Sequence, residues 1–346
     1  AVLVRKFGRP DDVISVVEGV AVLKPAPSET KLLIRVIACS LSPGDYRALL
    51  GEKTIVANPT MPYIPGGDVS GIVVTVPDIL MKDFTIGDRV VSTWDNFGTG
   101  GLAEYILVDP KHTTKLPKEL TFQQGAALVN SASHAALILD RAGIEEGDRA
   151  LVIGGSGGVG TTVVQEARLR GASYIAAVST DNVLMQNLGV DKTIDYRIDK
   201  WTDVKEWQDT KFDIIIDLAV GKTAWEQCQP VLKGCRTSGR FVAVVHNDWY
   251  IDGRHWYQIF GMLFPPLLRQ LFNIFRTTTP NYRIYLNQPS KASIETALSK
   301  AANGDFQTIL DPNSPHPFTT QGVREAWNHH IARRGHGKIV INVCEE

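Results

Sequence analysis

The run LVIGGSGGVG, Leu151–Gly160, constrains this chain more than any other stretch. It holds Gly155-x-Gly157-x-x-Gly160, placed after the apolar segment Arg149–Ile153 and before the helical pattern Val159–Arg170, which stops at Gly171. Each glycine has a physical task in such a strand–turn–helix unit. The first permits a tight turn out of the strand, the second lets the backbone approach a pyrophosphate, and the third lets the helix pack closely on the strand. The exposed N–H groups and dipole of the helix start then favour negative charge. Gly155, Ser156, Gly157, Gly158, Val159 and Gly160 therefore read as a dinucleotide-binding turn. A Walker-type phosphate loop is disfavoured, because no Gly-Lys-Ser/Thr follows.

The surrounding pattern supports this reading. Tyr174–Val178, Phe212–Asp217 and Arg240–Val245 are apolar strand segments, separated by helical segments at Val183–Leu188 and Trp225–Leu232. Strands alternating with helices imply a parallel, doubly wound sheet. Upstream the texture differs. Lys31–Ala38, Gly71–Val76, Asp88–Ser92 and Ala103–Val108 are short strands parted by Gly and Pro clusters such as Ser42-Pro43-Gly44. Downstream, Ile284–Leu286 reads as a strand, Lys291–Ala302 and Gln321–Ile331 as helices and Lys338–Val343 as a last strand.

Composition excludes several classes. The formal net charge is −1 with no long run of one sign, which argues against a nucleic-acid partner. The four cysteines, Cys39, Cys228, Cys235 and Cys344, form no C-x-x-C pair and suggest neither a disulfide framework nor a zinc knuckle. The apolar stretch Ile259–Phe275 carries Pro265, Pro266 and Arg269 and is shorter than the roughly 20 residues of a spanning helix. It reads as a buried or interface helix or a pocket wall, so no transmembrane span is expected. A cytoplasmic location is expected, and the absence of an initiator Met leaves a removed organelle presequence open.

The form of the cofactor follows from the end of the second strand. An NAD site usually places Asp or Glu there, which would repel a 2′-phosphate. Here Ser179 and Thr180 stand there and offer hydroxyls, and Asp181 comes one step late. NADP(H) is the expected cofactor. Lys192, Tyr196 and Arg197 are candidates for the adenine–phosphate end. His246, after Arg240–Val245, lies where the carboxyl edge of the sheet receives ligands.

The chain resembles the medium-chain dehydrogenase/reductase superfamily, in its zinc-free quinone oxidoreductase branch. The matching stretches are SPGDYRALLGE (Ser42–Glu52), MPYIPGGDVSGIV (Met61–Val73), FTIGDRVV (Phe84–Val91), GGLAEYILV (Gly100–Val108), KLPKELTFQQGAAL (Lys115–Leu128), GGSGGVG (Gly154–Gly160), LGVDKTIDYR (Leu188–Arg197) and GHGKIVINV (Gly335–Val343). The resemblance implies an α/β protein: a GroES-like β-rich catalytic domain plus a Rossmann doubly wound parallel-sheet dinucleotide domain. Its expected boundaries are 1–122 for the catalytic domain, 123–286 for the NADP-binding domain, and 287–346 for the return to the catalytic domain. It also implies a homodimer, with strands near Arg240–Val245 and 282–286 as the expected contact.

The resemblance bears on metal as well. Where the zinc-dependent alcohol dehydrogenase branch has its first Cys ligand, this chain has Ser42; where that branch has His then Glu, it has Gly67 and Asp68. No metal site is expected, since Asp45 and Asp68 alone make a poor zinc site and read better as capping residues. By the resemblance the substrate meets the Ser42–Arg47 loop and the Tyr63 region in the cleft between the domains. Ser42, Tyr46 and Tyr63 are the catalytic candidates, the tyrosines as hydrogen-bond donors to a developing oxyanion. Ser42 departs from the Asn common in the family. Lys338 is expected to reach the cofactor or to lie on the surface. His134 departs from the family's small residue, and His329, His330 and His336 read as surface residues.

The expected activity is NADPH-dependent hydride transfer to a quinone without zinc, the partner being a small, apolar, electron-poor molecule. Reduction of an enone, alkenal or enoyl thioester is the alternative enzyme reading. A cofactor-binding scaffold or trafficking protein without turnover is the alternative of another class.

Overall fold

The structure is a computed structural model that describes residues 1–22, 30–51, 59–93, 100–234, 239–245, 264–271, 280–286 and 289–346. The chain divides into two compact units, residues 1–133 with 288–346, and residues 134–287.

The first unit opens with helix α1 (Pro10–Val13) and then strand β1 (Leu32–Ser40). Almost every residue of β1 is buried, because both edges are paired and both faces are covered. Leu32, Ile34 and Val36 enter one apolar core and Ile37 enters another, with a register shift between Val36 and Ala38 that re-aims the strand. Helix α2 (Pro43–Leu50) follows, then strands β2 (Asp68–Thr75), β3 (Arg89–Ser92), β4 (Tyr105–Val108) and β5 (Thr113–Lys115). Gly71 of β2 lies so close to β1 that a Cβ would fall on the Arg35 carbonyl oxygen. Helix α3 (Phe122–Ala142) carries the chain into the second unit.

The second unit alternates as expected: β6 (Arg149–Ile153), α4 (Gly160–Leu169), β7 (Tyr174–Val178), α5 (Asn182–Asn187), β8 (Lys192–Ile194), α6 (Lys205–Asp209), β9 (Ile214–Asp217), α7 (Lys222–Gln227), β10 (Arg240–Ala243), α8 (264–271) and β11 (Asn281–Ile284). Among the described residues its sheet runs β11-β10-β9-β6-β7-β8, every pair parallel. This is the doubly wound order, and the strand order reverses between β6 and β9. All four residues of β9 are buried, as the continuous apolar run predicts for a strand covered on both faces. At the outer edge, Ile284 N–H donates to Gln270 Oε1 at 2.9 Å, and Arg141 Nε donates to Ile284 O at 2.9 Å.

The chain then returns to the first unit through α9 (Lys291–Ala302), β12 (His316–Pro317), α10 (Thr320–Ile331) and β13 (Val340–Asn342). β13 pairs with β1, completing a sheet ordered β12-β13-β1-β2-β3-β5, with β4 also on β1. Trp327 of α10 is fully buried in that unit's core.

Several sequence expectations shift. The segment after Ser42 is a helix, not a loop, since Pro43 stands in the first turn, where its missing N–H is harmless. The helix expected over Trp225–Leu232 lies earlier, at α7, and the strand expected at Ile284–Leu286 lies earlier, at β11. Of the apolar stretch 259–275, residues 264–271 are described; they are helical, with Phe264, Leu267 and Leu271 exposed. Among the described residues no helix is long and apolar enough to cross a membrane.

Burial separates two isoleucines for a stability test. Ile215 of β9 is fully buried, whereas Ile198 is 78% exposed. Ile215→Ala is expected to cost about 2–5 kcal/mol in denaturant unfolding. Ile198→Ala should stay within about 0.5 kcal/mol.

Candidate functional site

The turn after β6 is built by three glycines. Gly154 takes φ +87°, the left-handed conformation that turns the chain out of the strand. The expectation that Gly155 makes this turn is corrected: Gly155 is needed for space, since a Cβ there would meet Ala177 Cβ at 2.9 Å and Met185 Sδ at 3.0 Å. Gly160 starts α4 directly over the turn, where a Cβ would fall on the Gly154 oxygen and lie 2.7 Å from the Gly155 oxygen. Gly157 is different. Among the described residues, a Cβ there would meet only the Gly154 oxygen, at 3.5 Å. Gly154 and Gly155 N–H both donate to Val178 O, and Gly157 N–H donates to Gly154 O. The N–H groups of Gly158 and Val159 have no partner among the described residues. Ser156 is buried, and Gly158 and Val159 are half-buried. Backbone N–H donors at the start of a helix are what an anionic diphosphate needs.

The turn faces a second one across the switch point. Asp217 ends β9 opposite Ile153 and is fully buried. Its Oδ1 accepts from Ala219 N–H at 3.0 Å and Val220 N–H at 2.8 Å, and its Oδ2 accepts from Gly221 N–H at 2.6 Å. Burial outweighs these three donors and pushes its carboxyl up to about 6. The clamp shapes Leu218 and Ala219, against which Gly154 packs. Sequence reasoning missed Asp217, although an acid at a strand end followed by Ala219-Val220-Gly221 is a recognisable turn signal.

At the end of β7, Ser179 is buried, and its Oγ accepts from Asp181 N–H at 3.0 Å. Thr180 is half-buried beside it. Asp181 caps α5, its Oδ1 accepting from Leu184 N–H at 2.9 Å. The acid nearest the expected ribose position is thus engaged in a cap. Tyr196 is exposed, Lys192 pairs with Glu206 and Arg197 pairs with Asp195. These two are surface ion pairs, worth little and easily exchanged. His246 lies outside the described residues.

The first unit gathers a buried polar group around the start of α2. Ser42 is the residue before the helix, and its N–H and Oγ–H both donate to Asp45 Oδ2 at 2.8 Å. Asp68, the first residue of β2, accepts from Thr93 Oγ1 at 2.8 Å and pairs with Lys338 Nζ at 3.3 Å. Lys338 Nζ also donates to Leu41 O at 3.0 Å. The surface alternative for Lys338 is therefore corrected: it is buried, and it ties the last strand segment to the residue before Ser42. The capping reading of Asp45 and Asp68 fits these bonds. His330 is also no surface residue. Its ring meets Tyr46 edge-on with centroids 5.4 Å apart, and its Nε2 is buried with no hydrogen-bond partner among the described residues. His329 Nε2 sits 2.9 Å from the buried Asp311 Oδ2, which also accepts from His336 N–H. Tyr63 is buried, and its hydroxyl has no partner among the described residues.

Electrostatics follow from this burial. Desolvation and the neighbouring Asp68 push the Asp45 carboxyl up to about 6. Desolvation and the Lys338 charge hold the His330 imidazole down to about 4. Burial and the Asp45 charge push the Tyr63 phenol up, so it keeps its proton. Among the described residues, no group of three or more His, Cys, Asp or Glu side chains is placed to hold a metal ion. A surface cavity of about 430 Å³ beside Lys115, Glu119 and Glu295 holds none of the expected site residues.

Two measurements test this account. Gly160→Ala should cost about 1–3 kcal/mol in denaturant unfolding through forced backbone overlap, while Gly157→Ala should leave the unfolding midpoint close to that of the wild type. The second concerns pH. Asp45 binds its proton more tightly folded than unfolded, so its contribution to stability falls as pH rises from about 4 to about 6. His330 binds its proton less tightly folded, so its contribution falls as pH drops from about 6.5 to about 4. In pH-dependent unfolding, the wild type should lose ground to Asp45→Asn as pH rises through that window. It should lose ground to His330→Gln as pH falls through it.

Comparison with known proteins places this geometry. The sequence matches the Alcohol dehydrogenase GroES-like domain over residues 28–118 and the Zinc-binding dehydrogenase domain over residues 188–341. It is 30% identical to the 2-methylene-furan-3-one reductase of Solanum lycopersicum, covering 96% of this chain and 76% of the relative. It is 29% identical to the chloroplastic NADPH-dependent alkenal/one oxidoreductase of Arabidopsis thaliana, over 93% and 76%. It is 35% identical to the quinone oxidoreductase of Sus scrofa over 63% of this chain and 65% of that protein. The fold matches the quinone oxidoreductase of Coxiella burnetii with a TM-score of 0.77 at 22% identity over 99% of both chains. It also matches the Escherichia coli quinone oxidoreductase complexed with NADPH, with a TM-score of 0.76 at 20% identity over 99% of both chains. The chain belongs to the medium-chain dehydrogenase/reductase superfamily, in its quinone oxidoreductase-like branch.

Proposed function

We propose that this protein is an NADPH-dependent reductase of electron-poor conjugated carbonyl compounds that works without zinc. The observation that carries the proposal is the turn Gly154–Gly160 at the switch point of a doubly wound sheet, where Gly154 turns left-handed, Gly160 seats the start of α4, and the N–H groups of Gly158 and Val159 have no partner among the described residues. These residues fit a dinucleotide pyrophosphate, and they would hold it at the start of α4. NADPH, when bound, supplies the hydride. The protein's own part is to bind, orient and exclude water. Ser179 and Thr180 favour the phosphorylated ribose, because they offer hydroxyls at the end of β7 while the neighbouring carboxylate, Asp181, is engaged as the α5 cap. Zinc has no part in the proposal, because Ser42 stands at the position of the first ligand and Lys338 supplies the charge beside Asp68.

Within this class, a quinone is the first acceptor and an enone or alkenal the second. The second reading has specific support: two relatives that match over more than nine-tenths of this chain are named a 2-methylene-furan-3-one reductase and an alkenal/one oxidoreductase. Ser42, Tyr46 and Tyr63 are assigned to the acceptor, Ser42 and Tyr46 as the more accessible hydroxyls. A homodimer and a cytoplasmic location complete the proposal.

The test is NADPH oxidation by the purified protein with a quinone and with an enone, and NADH in parallel. Turnover with either acceptor and at least a tenfold preference for NADPH is the expected result. A preference for NADH would overturn the role given to Ser179 and Thr180. Gly157→Ala should remain folded and lose at least tenfold in NADPH affinity by fluorescence titration. Unchanged affinity would sink the pyrophosphate assignment.

A further inference from the structure

His134 and Tyr285 form a hydrogen-bonded pair that the reading above does not use. His134 Nδ1 and Tyr285 Oη are 2.6 Å apart, with the rings edge to face at a centroid distance of 5.7 Å. The two residues are 151 positions apart in sequence, and the fold holds them together firmly. Arg141, two turns along α3 from His134, donates to Ile284 O, the residue before Tyr285. Arg283 Nη1 returns two bonds to the end of α3, to Arg141 O at 3.0 Å and Ala142 O at 2.9 Å. Tyr285 N–H in turn donates to Ala243 O at 3.0 Å, which continues the β10–β11 pairing.

The place of the pair matters more than its strength. Tyr285 is the first residue beyond β11, so it stands at the carboxyl edge of the parallel sheet. The glycine turn leaves the same edge after β6. A sheet in this order binds a dinucleotide as two halves. If the half built on β6, β7 and β8 takes the adenosine side, the half built on β9, β10 and β11 takes the nicotinamide side. The pair therefore belongs to the reacting half of the unit.

We propose that His134 delivers the proton that completes the reduction and that Tyr285 positions its ring. This rests on the reductase reading given above. Reduction of a quinone to a hydroquinone, or of an enone to a saturated ketone, consumes one hydride and one proton. The hydride leaves NADPH; the proton leaves the His134 imidazolium for the anionic oxygen or enolate carbon, and solvent restores it. Tyr285 is buried, and its Oη accepts from Nδ1–H of the ring at 2.6 Å. That bond holds a proton on Nδ1, so the proton delivered is the one on Nε2. The charged groups on the packed elements, among the described residues, include Arg141 and Asp140 on α3, Arg170 on α4, Arg283 on β11, Arg240 on β10, Arg269 on α8 and Asp217 at the end of β9.

The experiment compares wild type, His134→Gln and Tyr285→Phe by pH-dependent steady-state kinetics and by NMR titration of the histidine rings. The expected result for His134→Gln is a kcat lower by at least tenfold with KM for NADPH within twofold. Tyr285→Phe should shift one limb of the kcat–pH profile by half a unit or more and move the His134 ring titration, with the thermal midpoint little changed. Profiles of both variants that superimpose on wild type, or a His134 titration unmoved in Tyr285→Phe, would overturn the proposal. If His134→Gln does not fold, the conservative Tyr285→Phe carries the test alone. A wild type that oxidises NADPH with neither the quinone nor the enone would instead overturn the reductase reading, and the NMR titration would still report on the pair.

Discussion

The contact on which the second unit depends is the seat of α4 on the turn it leaves. Gly160 lies so close to the Gly154 and Gly155 oxygens that no side chain fits between them. That closeness brings the helix start, with its uncompensated N–H groups, over the carboxyl end of β6. It also fixes the neighbours. Gly155 must be bare for Ala177 and Met185, and Gly154 must turn left-handed against Ala219, whose own turn is clamped by Asp217. One steric constraint thus sets the spacing of three loops at the carboxyl edge of the sheet.

The first unit depends on a different kind of link. Lys338 enters from the C-terminal return and bonds to Leu41 O and Asp68 Oδ2, both more than 250 residues earlier. A buried ammonium needs such partners, since an isolated charge in the interior is costly. The return segment is thereby tied to the start of α2, which carries Ser42, Asp45 and Tyr46. Asp45 and His330 then pull stability in opposite directions over nearly the same pH window, so their effects offset each other in the intact protein.

Local patterns were legible where a single segment carries its own physics. The Leu151–Gly160 turn, the βα alternation and the buried strand at Ile214–Asp217 all follow from spacing and apolar runs. Helix α2 was hidden, because Pro43 and Gly44 read as punctuation although Pro is welcome in a first helical turn. Burial of single charged or polar side chains was not legible. Lys338 and His330 carry no local mark of being interior, and their partners come from distant strands and helices. The His134–Tyr285 pair escaped for the same reason: His134 stood out only as a departure from the family's small residue, and nothing local marks Tyr285 as its partner.

The outer margin of the parallel sheet has a consequence for assembly. Ile284 of β11 directs its N–H and C=O away from β10, and Gln270 and Arg141 occupy both. An incoming strand would have to displace a glutamine amide and a guanidinium before it could form its first ladder bonds there. Such plugging protects an edge from templating further strands. A second copy of this chain that joined at β11 would thus pair by exchange rather than by simple addition, with the outgoing Gln270 and Arg141 seeking new partners on the neighbour.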